Sequence, residues 1–85
     1  MSAMPKQRRI SWSRKFPSPI TLRDGRTIAT LAEARDLVLA LPALHQRNGH
    51  WQYAAIQILK AAADTAAVGP AQAQLRIALR AEGLL

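Results

Sequence analysis

Apolar and polar positions alternate over Ile20-Thr21-Leu22, break at Asp24-Gly25, and resume over Arg26-Thr27-Ile28. A period of two around an Asp-Gly pair predicts a β-hairpin. Pro17 and Pro19 extend the chain ahead of it, because each restricts the preceding residue to β or polyproline geometry. The register follows from the pleat. A two-residue loop at Asp24-Gly25 sets Leu22 opposite Thr27 and divides the apolar residues between two faces, which a small domain cannot bury. A three-residue loop, Arg23-Asp24-Gly25, pairs Leu22 with Arg26 and Ile20 with Ile28. Ile20, Leu22 and Ile28 then share one face, and Gly25 supplies the left-handed residue of a G1-bulge turn. The second register is expected.

After the hairpin the period changes to that of a helix. Thr30-Leu31-Ala32-Glu33 has the form of a capping box, and Ala34, Leu37, Val38 and Leu41 follow as one apolar stripe. Pro42 ends this first helix. Ala43 to Gly49 reads as a connector, with Asn48-Gly49 as its turn. A second helix starts near His50 with the stripe Trp51, Ala54, Ala55, Ile58, Leu59 and Ala62, frays over Ala66 to Val68 and stops at Gly69. Pro70 suits the first position of a third helix, where its missing N–H costs nothing. Ala71, Leu75, Ala78 and Leu79 form the buried side of that helix, and Gly83 its C-terminal stop. The expected core is Ile20, Leu22, Ile28, Leu37, Val38, Leu41, Trp51, Ile58, Leu59, Leu75 and Leu79. Leu39, Leu44, Ile56 and Ile77 lie off the stripes and are candidates for exposure.

Charge adds an arm to this picture. The 85 residues carry 12 Lys or Arg against 5 Asp or Glu, a formal charge of +7. Lys6, Arg8, Arg9, Arg14 and Lys15 face no acid within residues 1–16, whereas the remainder is close to neutral. So little in this segment is apolar that it reads as mobile up to about Ser13, with Trp12 and Phe16 as the residues able to fold back onto the body. The chain thus predicts an α+β fold: a short N-terminal β-hairpin packed on three α-helices, preceded by a mobile basic arm. Residues 1–15 are the arm and residues 16–85 a single small domain.

The run Phe16-x-x-Pro19-Ile20-x-Leu22-x-Asp24-Gly25-Arg26, followed by Thr30-Leu31-x-x-Ala34, Leu41-Pro42, Trp51-Gln52-x-Ala54 and Ala61-Ala62, resembles a set of small uncharacterised proteins of rhizobial α-proteobacteria. It is similar, more loosely, to the domain of unknown function family 982. The resemblance spans roughly residues 16 to 64. It implies a two-strand opening, an alanine-rich helical body and a bacterial cytosolic origin, and carries over no catalytic or binding residue. The Trp-Pro of the looser family is Leu41-Pro42 here.

Candidate chemistry is sparse. With no cysteine, disulfide frameworks and thiolate metal sites are excluded, and a reducing cytoplasm is suited. His45 and His50 are five residues apart, about 140° around a helix, unlike the i, i+4 pair of a zinc hydrolase, and no third ligand accompanies them. Glu33 is accounted for by the capping box and Asp24 by the turn. The four glycines punctuate element boundaries, so no phosphate loop exists. Trp51 and Tyr53 point about 160° apart and do not form a stacking pair. Neither an enzyme nor a cofactor is expected. No apolar run approaches the roughly 18 residues of a membrane span, and the arm lacks an apolar face for a lipid surface.

Two binding readings are left. An interaction module needs an unknown protein partner or self-association to cover apolar surface that so short a chain cannot bury. Nucleic-acid binding would use the arm residues Lys6, Arg8, Arg9, Trp12, Arg14 and Lys15 with Gln72, Arg76 and Arg80 on one ridge of the third helix. Gly69 and Leu75 echo a helix-turn-helix, but Asp64 and Thr65 stand where that motif requires apolar or small residues. A solvated face explains the ridge more simply than base recognition does, so the interaction module is the expected function.

Overall fold

The computed structural model describes residues 10–85. Strand β1 (Lys15–Thr21) pairs antiparallel with β2 (Thr27–Thr30), and four helices follow: α1 (Leu31–Leu39), α2 (Ala43–Gln46), α3 (Gly49–Ala63) and α4 (Val68–Ala81). The fold is α+β, with one more helix than the periodicity predicts, because α2 occupies the segment read as a connector.

The hairpin has the expected register. Ile20 pairs with Ile28 and Thr21 with Thr27, and the Leu22 N–H donates to the Arg26 carbonyl at 2.8 Å. Ile20, Leu22 and Ile28 are all buried. Gly25 sits at φ +93°, where a side chain is strained and glycine is not. Asp24 closes the turn by accepting from the Arg26 backbone N–H at 2.9 Å and its guanidinium at 2.7 Å.

β2 passes directly into α1 through Thr30, whose hydroxyl accepts from the Glu33 N–H while the Glu33 carboxylate accepts from the Thr30 N–H, completing the capping box. At the other end of α1 the Gln46 side chain donates to the Leu41 carbonyl at 2.8 Å, so α2 turns back to close the helix that Pro42 ended. Asn48 caps α3 through the His50 N–H at 2.8 Å. α3 ends earlier than expected, at Ala63, because Asp64 leaves the helix and caps a 3-10 turn at Thr65–Ala67. α4 therefore starts at Val68, and Pro70 is its third residue rather than its first. It still lies among the N–H groups that have no intrahelical acceptor, so its missing donor costs nothing there. At the far end Gly83 has φ +75°, and bonds Gly83 N–H to Arg80 O and Leu84 N–H to Leu79 O form a Schellman motif.

One core joins all elements. It contains Phe16, Ile20, Leu22, Ile28, Leu31, Leu37, Trp51, Ile58, Val68, Leu75 and Leu79, with alanines Ala34, Ala54, Ala61, Ala62, Ala71 and Ala78 between the helices. Trp51 is its largest fully buried side chain. Val38 and Leu41, expected in the core, are only half-buried against it. Leu59 is not a core residue: it is 61% exposed. α3 packs against both α1 and α4, and its fully buried residues include Ala54, Ala61 and Ala62 rather than Leu59.

The segment before β1 is also part of the body. Leu31 N–H donates to Arg14 O at 3.0 Å and Ala32 N–H to Trp12 O at 2.8 Å, so two of the donors left open at the start of α1 are satisfied there. At the end of α3, Ala62 O accepts from the Ser11 N–H at 2.7 Å and Ala61 O from Arg14 Nη1 at 2.8 Å. Residues 11 to 14 thus tie one helix start to another helix end. Mobility up to Ser13 was the expectation from composition. Backbone hydrogen bonds of Ser11 and Trp12, which composition does not register, join those two residues to α3 and α1.

Candidate functional site

The nine residues proposed for nucleic-acid contact fare differently. Lys6, Arg8 and Arg9 lie outside the described residues. Arg14 is half-buried and its guanidinium is taken by the C-terminus of α3, a favourable place for a cation. Trp12 is half-buried too, with the Arg35 guanidinium 4.6 Å from its ring centroid, so one face of the indole already has a partner. Gln72 is buried, and its side chain donates to Ser18 O at 2.6 Å, fastening α4 to β1. It belongs to the packed side of α4 and not to a solvent ridge. The reason is that β1 covers the flank that a helical wheel of α4 alone leaves open. Lys15 and Arg80 are exposed and Arg76 is half-buried.

Lys15 and Arg76 belong to elements that pack against each other. β1 runs alongside α4 in the same direction. Lys15 and Pro17 flank a shallow cleft against Thr65, Val68 and Gly69, Ser18 meets Gln72, and the Arg23 N–H bonds to Leu84 O at 2.9 Å. Arg76, one turn beyond Gln72, lies on this flank.

The histidines and acids are dispersed among structural roles. His45 has a partner after all. Its Nδ1 lies 3.2 Å from Glu82 Oε1, a residue 37 positions away that sequence spacing does not connect with it, and the pair links α2 to the end of α4. His50 is exposed at the start of α3. No three His, Asp or Glu come together among the described residues. Asp24 titrates below the ordinary aspartate range, held there first by the Arg26 backbone N–H and then by the Arg26 side chain. This stabilises a turn.

One recess among the described residues is apolar. Trp12, Val38, Leu39, Ala55, Ile58 and Leu59, with Arg35, line a groove of about 200 Å3 between α1 and α3. Leu39 is 66% exposed and Leu59 61%, and Ile56, one turn from Leu59, is 52% exposed. Three large aliphatic side chains thus stand in water on or beside a groove with almost no polar lining. Leu39 and Ile56 were expected outside the core. Leu59 was missed because its i+4 spacing from Ala55 assigns it to the same stripe. Leu44 and Ile77 are also exposed, as expected, and so is Tyr53.

No helix among the described residues is long and apolar enough to cross a membrane. No protein-family model matches the chain, and no curated protein or solved structure matches it, so the resemblance to family 982 rests on the residue pattern alone.

Proposed function

We propose that the chain is a non-enzymatic, cytosolic interaction module that docks another protein surface on its α1–α3 face. The observation that carries this reading is the apolar groove lined by the exposed Leu39 and Leu59, with exposed Ile56 one turn from Leu59 on the same helix. Exposed aliphatics are common singly, but a contiguous group around a recess is the usual form of a protein-binding patch. Against an enzymatic role stand the structural uses of Asp24, Glu33, Asp64 and Glu82, which leave no paired carboxylates free for acid–base work. A pull-down from source cells tests the reading with the wild-type chain and Leu59→Glu as baits. The wild type should retain a stoichiometric protein that Leu59→Glu loses and Ile77→Glu, altered on α4, keeps. Identical capture by all three baits would refute it.

The exposed Lys15 and the half-buried Arg76, on the adjoining elements β1 and α4, support a second reading, binding to a polyanion such as nucleic acid. Its test is a salt titration with duplex DNA. Truncation must stop at Arg9, because Ser11 to Arg14 hold the fold. Removing residues 1–9 takes away Lys6, Arg8 and Arg9, so the slope of log affinity against log salt should become shallower by roughly 2.7 if all three reach phosphates. An unchanged slope removes the arm from that reading.

A further inference from the structure

We infer that Asn48 is a site of self-modification, at which the chain's own backbone converts the cap of α3 from an amide to a carboxylate. Asn48 is the one asparagine of the sequence, and a glycine follows it. Asn48, Gly49 and His50 are all exposed. Gly49 has no side chain to screen its backbone nitrogen, and the place where a Cβ would stand is open space. As the first residue of α3 it also has no intrahelical acceptor for its N–H. Its nitrogen thus lies one residue from the electrophilic Asn48 carboxamide, free of steric cover. Joining the two closes a five-membered ring, an intramolecular attack of the kind that proximity favours strongly.

The step balances with water as its only co-reactant. The Gly49 nitrogen gives its proton to hydroxide and bonds to Asn48 Cγ, while the side-chain nitrogen takes a proton from water and leaves as ammonia. Water then opens the cyclic imide at either carbonyl. Attack at one breaks the new N–C bond and leaves aspartate. Attack at the other breaks the original peptide bond to Gly49 and leaves isoaspartate, whose main chain is one carbon longer. The two products act differently on α3. Aspartate caps as well as asparagine and puts a negative charge where the helix dipole favours it, whereas the added carbon of isoaspartate shifts the cap out of register. The fold also sets the rate. Asn48 has ψ 137°, and its Oδ1 accepts from the His50 N–H at 2.8 Å, so the carboxamide is committed to His50 and cyclisation waits on release of the cap. Asp24 is followed by glycine too, but its ionised carboxylate is paired with Arg26 at 2.7 Å and carries no amine to leave.

Peptide mapping of the full chain, held in warm and mildly alkaline buffer with and without urea, is the test. Trypsin releases residues 48–60, which begin at Asn48 and contain no other asparagine. Mass spectrometry reads the exchange of NH2 for OH, and chromatography separates aspartate from isoaspartate. The native chain should form both products, roughly tenfold more slowly than the chain in urea, the protection that the usual stabilisation by a side-chain cap provides. Gly49→Ala should slow the reaction in both conditions, because its methyl group crowds the attacking nitrogen. The folded chain accommodates that methyl, since nothing stands within 4 Å of it. The urea arm separates this crowding from any gain in helix stability that alanine brings. An Asn48 that stays intact in the native chain throughout the incubation, equal rates with and without urea, or a Gly49→Ala chain that reacts in urea as fast as the wild type would overturn the inference.

Discussion

Arg14 is the residue at which the sequence reading and the structure diverge most sharply, and replacing it separates a fold contact from a phosphate contact. Its guanidinium donates at 2.8 Å to Ala61 O, one of the carbonyls that the end of α3 leaves without an intrahelical donor. Hydrogen bonds involving a charged group contribute about 1.5–3 kcal/mol, and a cation at a helix C-terminus about 0.3–1 kcal/mol. The side chain is only half-buried, so water replaces part of what is lost, and Arg14→Met should cost about 1–2 kcal/mol. Met is the informative replacement because it keeps an apolar stem and removes the donor. At about 4–8 °C per kcal/mol for a domain of this size, the midpoint of thermal unfolding should fall by about 5–15 °C. The comparison is made by circular dichroism at low and high salt. Salt screens the dipole contribution but leaves the hydrogen bond, so most of the loss should persist. Arg14→Lys retains a charge without the fork and should fall between the two. A change in stability below about 0.3 kcal/mol, together with weakened binding to DNA, would refute the assignment and return Arg14 to the phosphate-contacting arm.

Two further effects follow from polar contacts. Gln72→Leu removes the donor to Ser18 O and leaves that carbonyl without its side-chain partner at the β1–α4 contact. Urea unfolding should show a loss of about 1–3 kcal/mol, and Gln72→Glu, which sets a carboxylate against a carbonyl, should be worse. Asp24 has its folded-state pKa depressed by the Arg26 backbone N–H and side chain, so the stability it contributes is present above the unfolded-state pKa and lost as pH falls through the folded one. Below about pH 4 the wild type should therefore lose a stabilising increment that Asp24→Asn never had. Thermal midpoints of the two proteins measured from pH 6 down to pH 2 should converge, and curves that stay parallel would exclude the turn contact.

The parts of the fold legible in the sequence are those decided within a few residues. The hairpin register depends on placing Ile20, Leu22 and Ile28 on one face and on a glycine that accepts positive φ, both visible in nine consecutive residues. The capping box needs only Thr30 and Glu33, and the Schellman end of α4 only Gly83 after an apolar stretch. What escaped depends on distant partners. His45 beside Glu82, Gln72 on Ser18 and Arg14 on Ala61 all join segments whose proximity is created by packing. Composition also misled in a definable way. It treats the chain up to about Ser13 as too polar to be ordered, but helix ends require polar partners, and Ser11 to Arg14 supply acceptors to α1 and donors to α3 together.

The candidate site was half legible for a related reason. A helical wheel finds one apolar arc and directs it at one neighbour, which places Leu59 in the core beside Ala55 and Ile58. α3 has two neighbours. Trp51, Ala54, Ile58, Ala61 and Ala62 are buried in the core that these neighbours share. The apolar arc is therefore wider than the buried one, and its excess falls on the α1 side, where Leu59 joins Leu39 in solvent. Between α1 and α3 there is then a groove that the chain does not fill with its own described residues. Leu39 and Ile56 alone suggest scattered exposure. With Leu59 added they form a surface, and that addition is visible only once α4 is in place.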